Sequence, residues 1–338
     1  SHENLKLRDP EFVATVDDWF AGRVEQSTGI EVSREPVPPP AFTPYKLREM
    51  VLENRIVVSP MCQYSAVDGT PSDWHLVHLG SRAIGGAGLV FTEMTNVSAQ
   101  GRITPGCTGM YEDEHVDVWR KIVDFVHDNS AAKIGVQLGH AGRKGSCARP
   151  WEGGRTLAKN KGWPLLGPSP FPFRATDPNP KEMGPADFEQ VRAEYLHAAH
   201  MSEFCEFDIL EIHMAHGYLL SSFISPLSNL RTDHYGGSLE NRMRFPLEIF
   251  DLVRDAWPEE KPISVRISAV DWVEGGLDGA DAVEVARMLK DHGCDIIDVS
   301  SGGTVSYAKP EYGRQYQTPF SERIRLEADI PTIAVGNI

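Results

Sequence analysis

The chain has 338 residues, 41% hydrophobic and 24% charged, enough apolar material for one large core or two small ones. Its formal net charge of −15 argues against nucleic acid or an anionic membrane surface as the main partner, while leaving room for a local basic pocket. Cys62, Cys107, Cys147, Cys205 and Cys294 are odd in number and form no CxxC, which disfavours a disulfide framework or a structural zinc site and fits a reducing cytoplasm.

Residues 1–40 stand apart from the rest of the chain. Asp9-Pro10 opens a helix in which Phe12, Val13, Val16, Trp19 and Phe20 make an apolar stripe at helical spacing, and VSREPVPPPAF succeeds it as an extended proline-rich linker. The segment reads either as an arm packed on the main domain or as the tail of a preceding domain. A start at Ser1 instead of Met is expected of a piece or a processed product. No stretch reads as a signal peptide or a transmembrane helix.

From residue 41 to 338 the pattern is regular. Strands are expected at 55–59, 88–94, 133–138, 207–212, 263–268, 295–300 and 331–336, and helices at 74–85, 112–129, 185–204, 238–256, 280–292 and 319–328. A Gly/Pro-rich excursion fills 139–184. The strands read as β-branched and nearly all apolar, as parallel strands covered by helices do. Alternation of this kind gives an α/β barrel or an open doubly wound sheet. Polar residues recur at strand ends (Ser59, Gln137, His213, Arg266, Ser300, Gly336), and no GxGxxG opens a first βα unit. The expected fold is therefore a (β/α)8 TIM barrel, with the last βα unit missing from the given sequence.

The strand ends should converge on one mouth carrying Ser59, Pro60, Met61, Cys62, Tyr64, Gln137, His213, His216, Tyr218 and Arg266. No nucleophile–base pair stands out. Two imidazoles, a phenol, an amide and a guanidinium suit a ligand whose acceptor atoms gain negative charge, such as a flavin ring or an enolate. Taken alone, His213-x-x-His216 is more often structural or metal-binding, Cys62 a buried thiol, and Tyr218 a packing residue. A strand-end arginine such as Arg266 calls for an anionic partner. Arg143 and Lys144 read as solvated loop cations or as phosphate contacts. Trp74, Trp151 and Trp163 read as packing residues or as pocket lining.

Residues 210–245, LEIHMAHGYLLSSFISPLSNLRTDHYGGSLENRMRF, resemble the core motif of the old yellow enzyme family of FMN-dependent ene-reductases. The resemblance continues in order through SPMCQYSA (59–66), SRAIGGAGLVFTEMTNVSAQGRI (81–103), GVQLGHAGRKG (135–145) and VRISAVDWVEGG (265–276). Cysteine after SPM, together with HMAH, is similar to the thermophilic-like branch. The resemblance implies FMN as cofactor and NAD(P)H as reductant, with no metal. It implies that Ser59, Pro60, Met61 and Cys62 lie along the flavin, and that Cys62 tunes its potential. It places Met94 beside the ring, Gln137 at the pyrimidine edge, Arg266 by N1–C2=O and Gly336 at the phosphate. His213 and His216 would bind the substrate oxygen, Tyr218 would supply the proton, and Tyr64 would line the substrate pocket. The implied reaction is reduction of an alkene conjugated to a carbonyl, with hydride arriving from the flavin. The family's Gly-Arg phosphate turn is absent from the sequence given. Dienoyl-CoA reductases with an iron–sulfur cluster, whose cysteines would lie beyond this endpoint, also belong to the family.

The N-terminal SHENLKLRDPEFVATVDDWF and its linker resemble the junction in bifunctional aryl-CoA enzymes of the salicylyl-CoA 5-hydroxylase and 2-aminobenzoyl-CoA monooxygenase/reductase type. That resemblance implies an upstream FAD hydroxylase half and a role in aromatic degradation on a coenzyme A thioester. The alternatives are a stand-alone enone reductase, a metal-dependent barrel hydrolase built on His213 and His216, and a silent scaffold barrel. The expected partners are a small-molecule substrate, an enone or an aryl-CoA derivative, and further copies of the chain in a homo-oligomer.

Overall fold

The computed structural model describes residues 2–338. Seven parallel strands, β1 (Val57–Val58), β2 (Leu89–Asn96), β3 (Lys133–Gly139), β4 (Ile209–Met214), β5 (Ile263–Ser268), β6 (Ile296–Ser300) and β7 (Thr332–Ala334), pair in sequence order into one sheet. Helices α1 (Asp73–Ile84), α2 (Asp113–Asn129), α3 (Pro185–Phe204), α4 (Leu239–Ala256), α5 (Gly279–Asp291) and α6 (Thr318–Glu327) come after β1 to β6 in turn. The sheet curls into a nearly closed TIM barrel wrapped by these helices, with β1 and β7 as its two edges.

Side-chain alternation divides the strands into two faces. Ile134, Val136 and Leu138 of β3, Leu210, Ile212 and Met214 of β4, Val265 and Ile267 of β5, and Ile297 and Val299 of β6 point out to the helices. There they join Trp119, Tyr195, Phe245 and Phe250 in the main core. The intervening residues point into the barrel. At its N-terminal end Leu89, Phe91, Ile209 and Ile296 pack on Leu47, Met50 and Leu52. The last three belong to an antiparallel hairpin, Tyr45–Leu47 with Met50–Leu52, that closes the barrel bottom. Lys46, Arg48 and Glu49 interrupt its apolar pattern, so a strand reading passes over it. Higher up, the inward positions are polar: Gln137, Glu211, Ser264, Arg266 and Asp298. The expectation of nearly all-apolar strands holds for the outer face and for the bottom of the barrel, not for the upper inner face.

Most boundaries agree with the sequence reading within two residues. The instructive case is β4, displaced by two residues at both ends: it starts at Ile209 and not at 207, and runs on to Met214. Glu206 adopts a left-handed backbone (φ 63°), and Asp208 Oδ2 accepts from Ile134 N and His127 Nε2 at 2.8 Å each, so 206–208 form a turn. His213 consequently lies within the strand instead of beyond it. β3 carries glycine on either side of Gln137 for steric reasons. A Cβ on Gly135 would meet the Phe91 ring at 2.4 Å, and one on Gly139 would meet Met94 Cγ at 2.7 Å. The 139–184 excursion holds two 3-10 turns, Gly142–Lys144 and Pro150–Glu152, and a two-residue parallel ladder of Leu166–Gly167 with Lys181–Glu182.

The arm contains helices His2–Arg8 and Pro10–Thr28. Asp9 caps the second through Phe12 N at 3.0 Å, with Pro10 in its first turn and Gly29 left-handed at its end. Its buried side is Val13, Asp17, Ala21 and Val24, and Val32 and Val37 of the linker pack on the latter pair. The expected apolar stripe is not the buried face, since Phe12 is 64% and Trp19 59% exposed. The arm touches the barrel where the Arg55 guanidinium lies 5.8 Å from the Phe20 ring and 4.8 Å from the Tyr45 ring. No helix among the described residues is long and apolar enough to cross a membrane.

Candidate active site

In the middle of the barrel a polar layer crosses four strands. Gln137, Glu211 and Ser264 are neighbours in register, and Arg266 is in register with both His213 and Asp298. Glu211 Oε1 accepts from Gln137 Nε2 at 2.8 Å, and Oε2 accepts from Ser264 Oγ at 2.7 Å. Arg266 Nε lies 3.2 Å from Asp298 Oδ2, off the line of a hydrogen bond, and its Nη1 faces Pro60 O at 3.4 Å. One guanidinium thus serves two buried carboxylates. Burial, then the Asp298 charge, pushes Glu211 up to about 8, against the pull of Arg266, so Glu211 holds a proton at neutral pH. Burial raises Asp298 as well, with Arg266 opposing it.

Above this layer the two histidines meet. His213 Nδ1 accepts from Ala215 N at 3.1 Å, which fixes its proton on Nε2. That N–H points at His216 Nδ1, 3.2 Å away, so His216 carries its own proton on Nε2, 2.7 Å from Ser300 Oγ. Ser300 in turn donates to Gln317 Oε1 at 3.4 Å, and Gln317 Nε2 donates to Val335 O at 3.1 Å. His216 is held in a left-handed backbone (φ 61°) with its N–H on Ser268 Oγ at 2.9 Å. Burial, helped by Arg266 and Lys144, holds both imidazoles well below the usual histidine range. They are neutral donors.

The turn after β1 is tied to β2. Glu93 is buried, with Oε2 accepting from Gln63 N at 3.1 Å and Oε1 2.9 Å from His75 Nε2. His75 Nδ1 accepts from Ser72 N, so its Nε2 is the donor. Cys62, Tyr64 and Tyr218 pack together on Met94, Ile103, Cys107 and Ala141. The Tyr218 ring lies 5.0 Å from the His213 ring, edge-on. Burial, then neighbouring acidic groups, pushes the Cys62 thiol and the Tyr218 phenol well above their ordinary values, so both keep their protons. The structure therefore brings Pro60, Cys62, Tyr64, Met94, Gln137, His213, His216, Tyr218 and Arg266 to one rim. Met61 is 46% exposed, and Gly336 lies past the end of β7 against Tyr316 and Gln317.

Arg143 and Lys144 are not solvated loop cations. Arg143 is buried and donates to Thr304 O, and Lys144 Nζ donates to His216 O at 2.8 Å and Gly303 O at 2.9 Å. The 3-10 turn of 142–144 folds them back over the β4 loop. Of the tryptophans, Trp151 meets Tyr64 edge-on at 6.0 Å, Trp74 Nε1 donates to Gln63 Oε1 at 3.0 Å, and Trp163 lies under Arg102. A cavity of about 260 Å³ opens beside Tyr218 and Tyr64. Sequence reasoning passed over Glu93, His75, Glu211, Asp298 and Gln317, and had Ser300 only as a polar strand end. The first four sit inside strands or helices, where the available signal was the period-2 alternation of LEIH and IIDVS.

A family model described as NADH:flavin oxidoreductase / NADH oxidase matches residues 40–338. The chain belongs to that family, the family of old yellow enzyme. It is similar to an NADPH dehydrogenase of Geobacillus sp. (strain WCH70), 46% identical over 299 residues, which are 88% of this chain and 83% of the relative. Morphinone reductase in complex with tetrahydroNAD superposes with a TM-score of 0.73 at 26% identity, covering 89% of this chain and 81% of that one. A 2-naphthoyl-CoA reductase with its 2-naphthoyl-CoA superposes with a TM-score of 0.77 at 24% identity, covering 86% of this chain and 46% of that one, a likeness of fold. This old yellow enzyme relative is a flavin-dependent NAD(P)H oxidoreductase, with FMN as its cofactor. The donor set fits that group. Arg266 Nε and Asp298 Oδ1 are buried without a hydrogen-bond partner, and the remaining guanidinium nitrogens have Pro60 O as a weak acceptor at 3.4 Å. A guanidinium with donors to spare beside an amide suits a ring edge that gathers negative charge.

Proposed function

We propose that this chain reduces carbon–carbon double bonds conjugated to a carbonyl, with NAD(P)H as electron source, at the rim where His213 and His216 meet Tyr218. Bound FMN supplies the hydride-transfer chemistry. The Ser59–Cys62 backbone, Met94, Gln137, Arg266 and Gly336 are the residues we assign to holding it.

The observation that carries this reading is the imidazole pair, whose Nδ1 atoms both accept and whose N–H groups lie on Nε2, with Arg266 in register with His213 and Lys144 on His216 O. A neutral imidazole offers an N–H without cancelling the positive field around it. As charge moves onto a substrate carbonyl oxygen, that field and the N–H lower the barrier together. To reach such an oxygen His213 redirects the N–H that it gives to His216. Tyr218, protonated at all working pH values, holds a proton for the substrate carbon. Tyr64 closes the apolar side of the pocket.

The test uses FMN-loaded protein under nitrogen. NADPH should bleach the flavin, and 2-cyclohexen-1-one should restore its colour with consumption of the alkene. Bleaching without enone-dependent recovery overturns the reading. A metal-hydrolase reading has less support: among the described residues no three His, Cys, Asp or Glu side chains converge as metal ligands.

We also infer that residues 1–40 join this half to an FAD hydroxylase half acting on an aryl-CoA thioester. The support is that residues 1–39 lie outside the family match and that Ala21, Val24, Val32 and Val37 among them form a small core of their own. A GxGxxG flavoprotein sequence upstream of Ser1 in the source locus would bear this out, and its absence there would end it.

A further inference from the structure

The cavity beside Tyr218 is richer in cations than a site for neutral enones requires. Lys144 and Arg174 both line it, and they share one aromatic ring. Lys144 Nζ lies 4.2 Å and Arg174 Cζ 5.6 Å from the Phe173 centroid. Lys144 Nζ also lies 5.2 Å from the Tyr218 ring. Its hydrogen-bond acceptors are the carbonyls His216 O and Gly303 O, and Arg174 Nη1 donates to the carbonyl Gly154 O at 3.3 Å. Neither cation meets a carboxylate in these bonds. One carboxylate lines the cavity, Asp177, and it is engaged by Thr156 Oγ1 and the Arg174 backbone N–H, each at 3.1 Å.

A buried ammonium keeps its charge at a cost that the carbonyls and aromatic faces around it offset only in part, and a ligand anion would relieve the rest. Burial, with Arg143 and Arg174 adding like charge, pulls Lys144 down to about 7. The cavity holds about 260 Å³, room for a small ring and one substituent.

We propose that Lys144 and Arg174 form an anion subsite, selecting substrates that carry a carboxylate on the side of the ring away from the carbonyl held by His213 and His216. This rests on the proposed reductase activity and names the class of substrate that it takes. A carboxylate there would receive charge-assisted hydrogen bonds from both cations while its ring stacks beside Tyr64 and Tyr218. Phe173 holds the two cations in place.

The test compares two phenols of nearly equal shape, 4-hydroxybenzoate and 4-hydroxybenzamide, by calorimetric titration into the FMN-loaded protein. The carboxylate should bind about tenfold more tightly, the value of one hydrogen bond to a charged group. Lys144→Met and Arg174→Ala should each bring the affinity ratio toward unity, and Lys144→Arg should preserve it. Equal binding by the unaltered protein, or a ratio unmoved by Lys144→Met, overturns the subsite. Because the titration needs no turnover, it is separable from the enone experiment. Enone reduction without carboxylate preference removes the subsite alone, and carboxylate preference without enone reduction removes the reductase reading alone.

Discussion

Glu211 keeps its proton because it is buried, with the Asp298 charge adding to the effect, and this sets the sign of its effect on stability. Its carboxyl lies near 4.5 when unperturbed and is pushed up to about 8 in the fold. The folded state therefore binds a proton more tightly than the unfolded chain. Its contribution is fully present below about 4.5 and is lost as pH rises through 8. Glu211→Gln should flatten the fall of the melting temperature between pH 5 and pH 8, measured by scanning calorimetry. Parallel slopes for variant and parent would contradict the assignment. His213, His216, Tyr218 and Arg266 were legible in the sequence because they end or succeed apolar runs. Glu211 and Asp298 were not, since a buried acid inside a strand looks like an interruption until its neighbours in register are known. Lys144 looked solvated for the opposite reason: its glycine-rich surroundings read as surface, whereas they let the turn fold inward.

Among the elements, β3 shows how much depends on what is left out. Gly139 faces Met94 and His213, and a Cβ there would lie 2.7 Å from Met94 Cγ and 3.2 Å from His213 Cβ. Gly139→Ala should cost about 1–3 kcal/mol through overpacking and weaken FMN retention by displacing Met94. Denaturant unfolding and the return of flavin fluorescence on release would measure the two effects. An unchanged midpoint would mean that Met94 moves aside freely. Strand order and most boundaries could be read from the 2.0 and 3.6 periodicities, as α3 and β5 illustrate. The two-residue displacement of β4 could not, because it is set by Asp208 reaching β3 and α2. The hairpin of 45–52 was hidden because Lys46, Arg48 and Glu49 interrupt its apolar residues.

At the scale of the molecule, the arm and the barrel are joined through few contacts, chief among them Arg55 between Phe20 and Tyr45. A chain beginning at residue 40, where the family match begins, should retain its flavin spectrum while melting a few degrees lower, by calorimetry and absorbance. Loss of the spectrum would make the arm part of the catalytic domain. The bond series from His213 through His216 and Ser300 to Gln317 and Val335 runs from the fourth strand to just beyond the seventh, with every proton pointing the same way. An oxygen that captures the first proton in this row leaves the second imidazole without a donor, and that ring can recover by turning its own proton around, which reverses the hydroxyl beyond it. Occupancy at the fourth strand is in this way legible at the sixth as a change of hydrogen-bond polarity, with no strand needing to move.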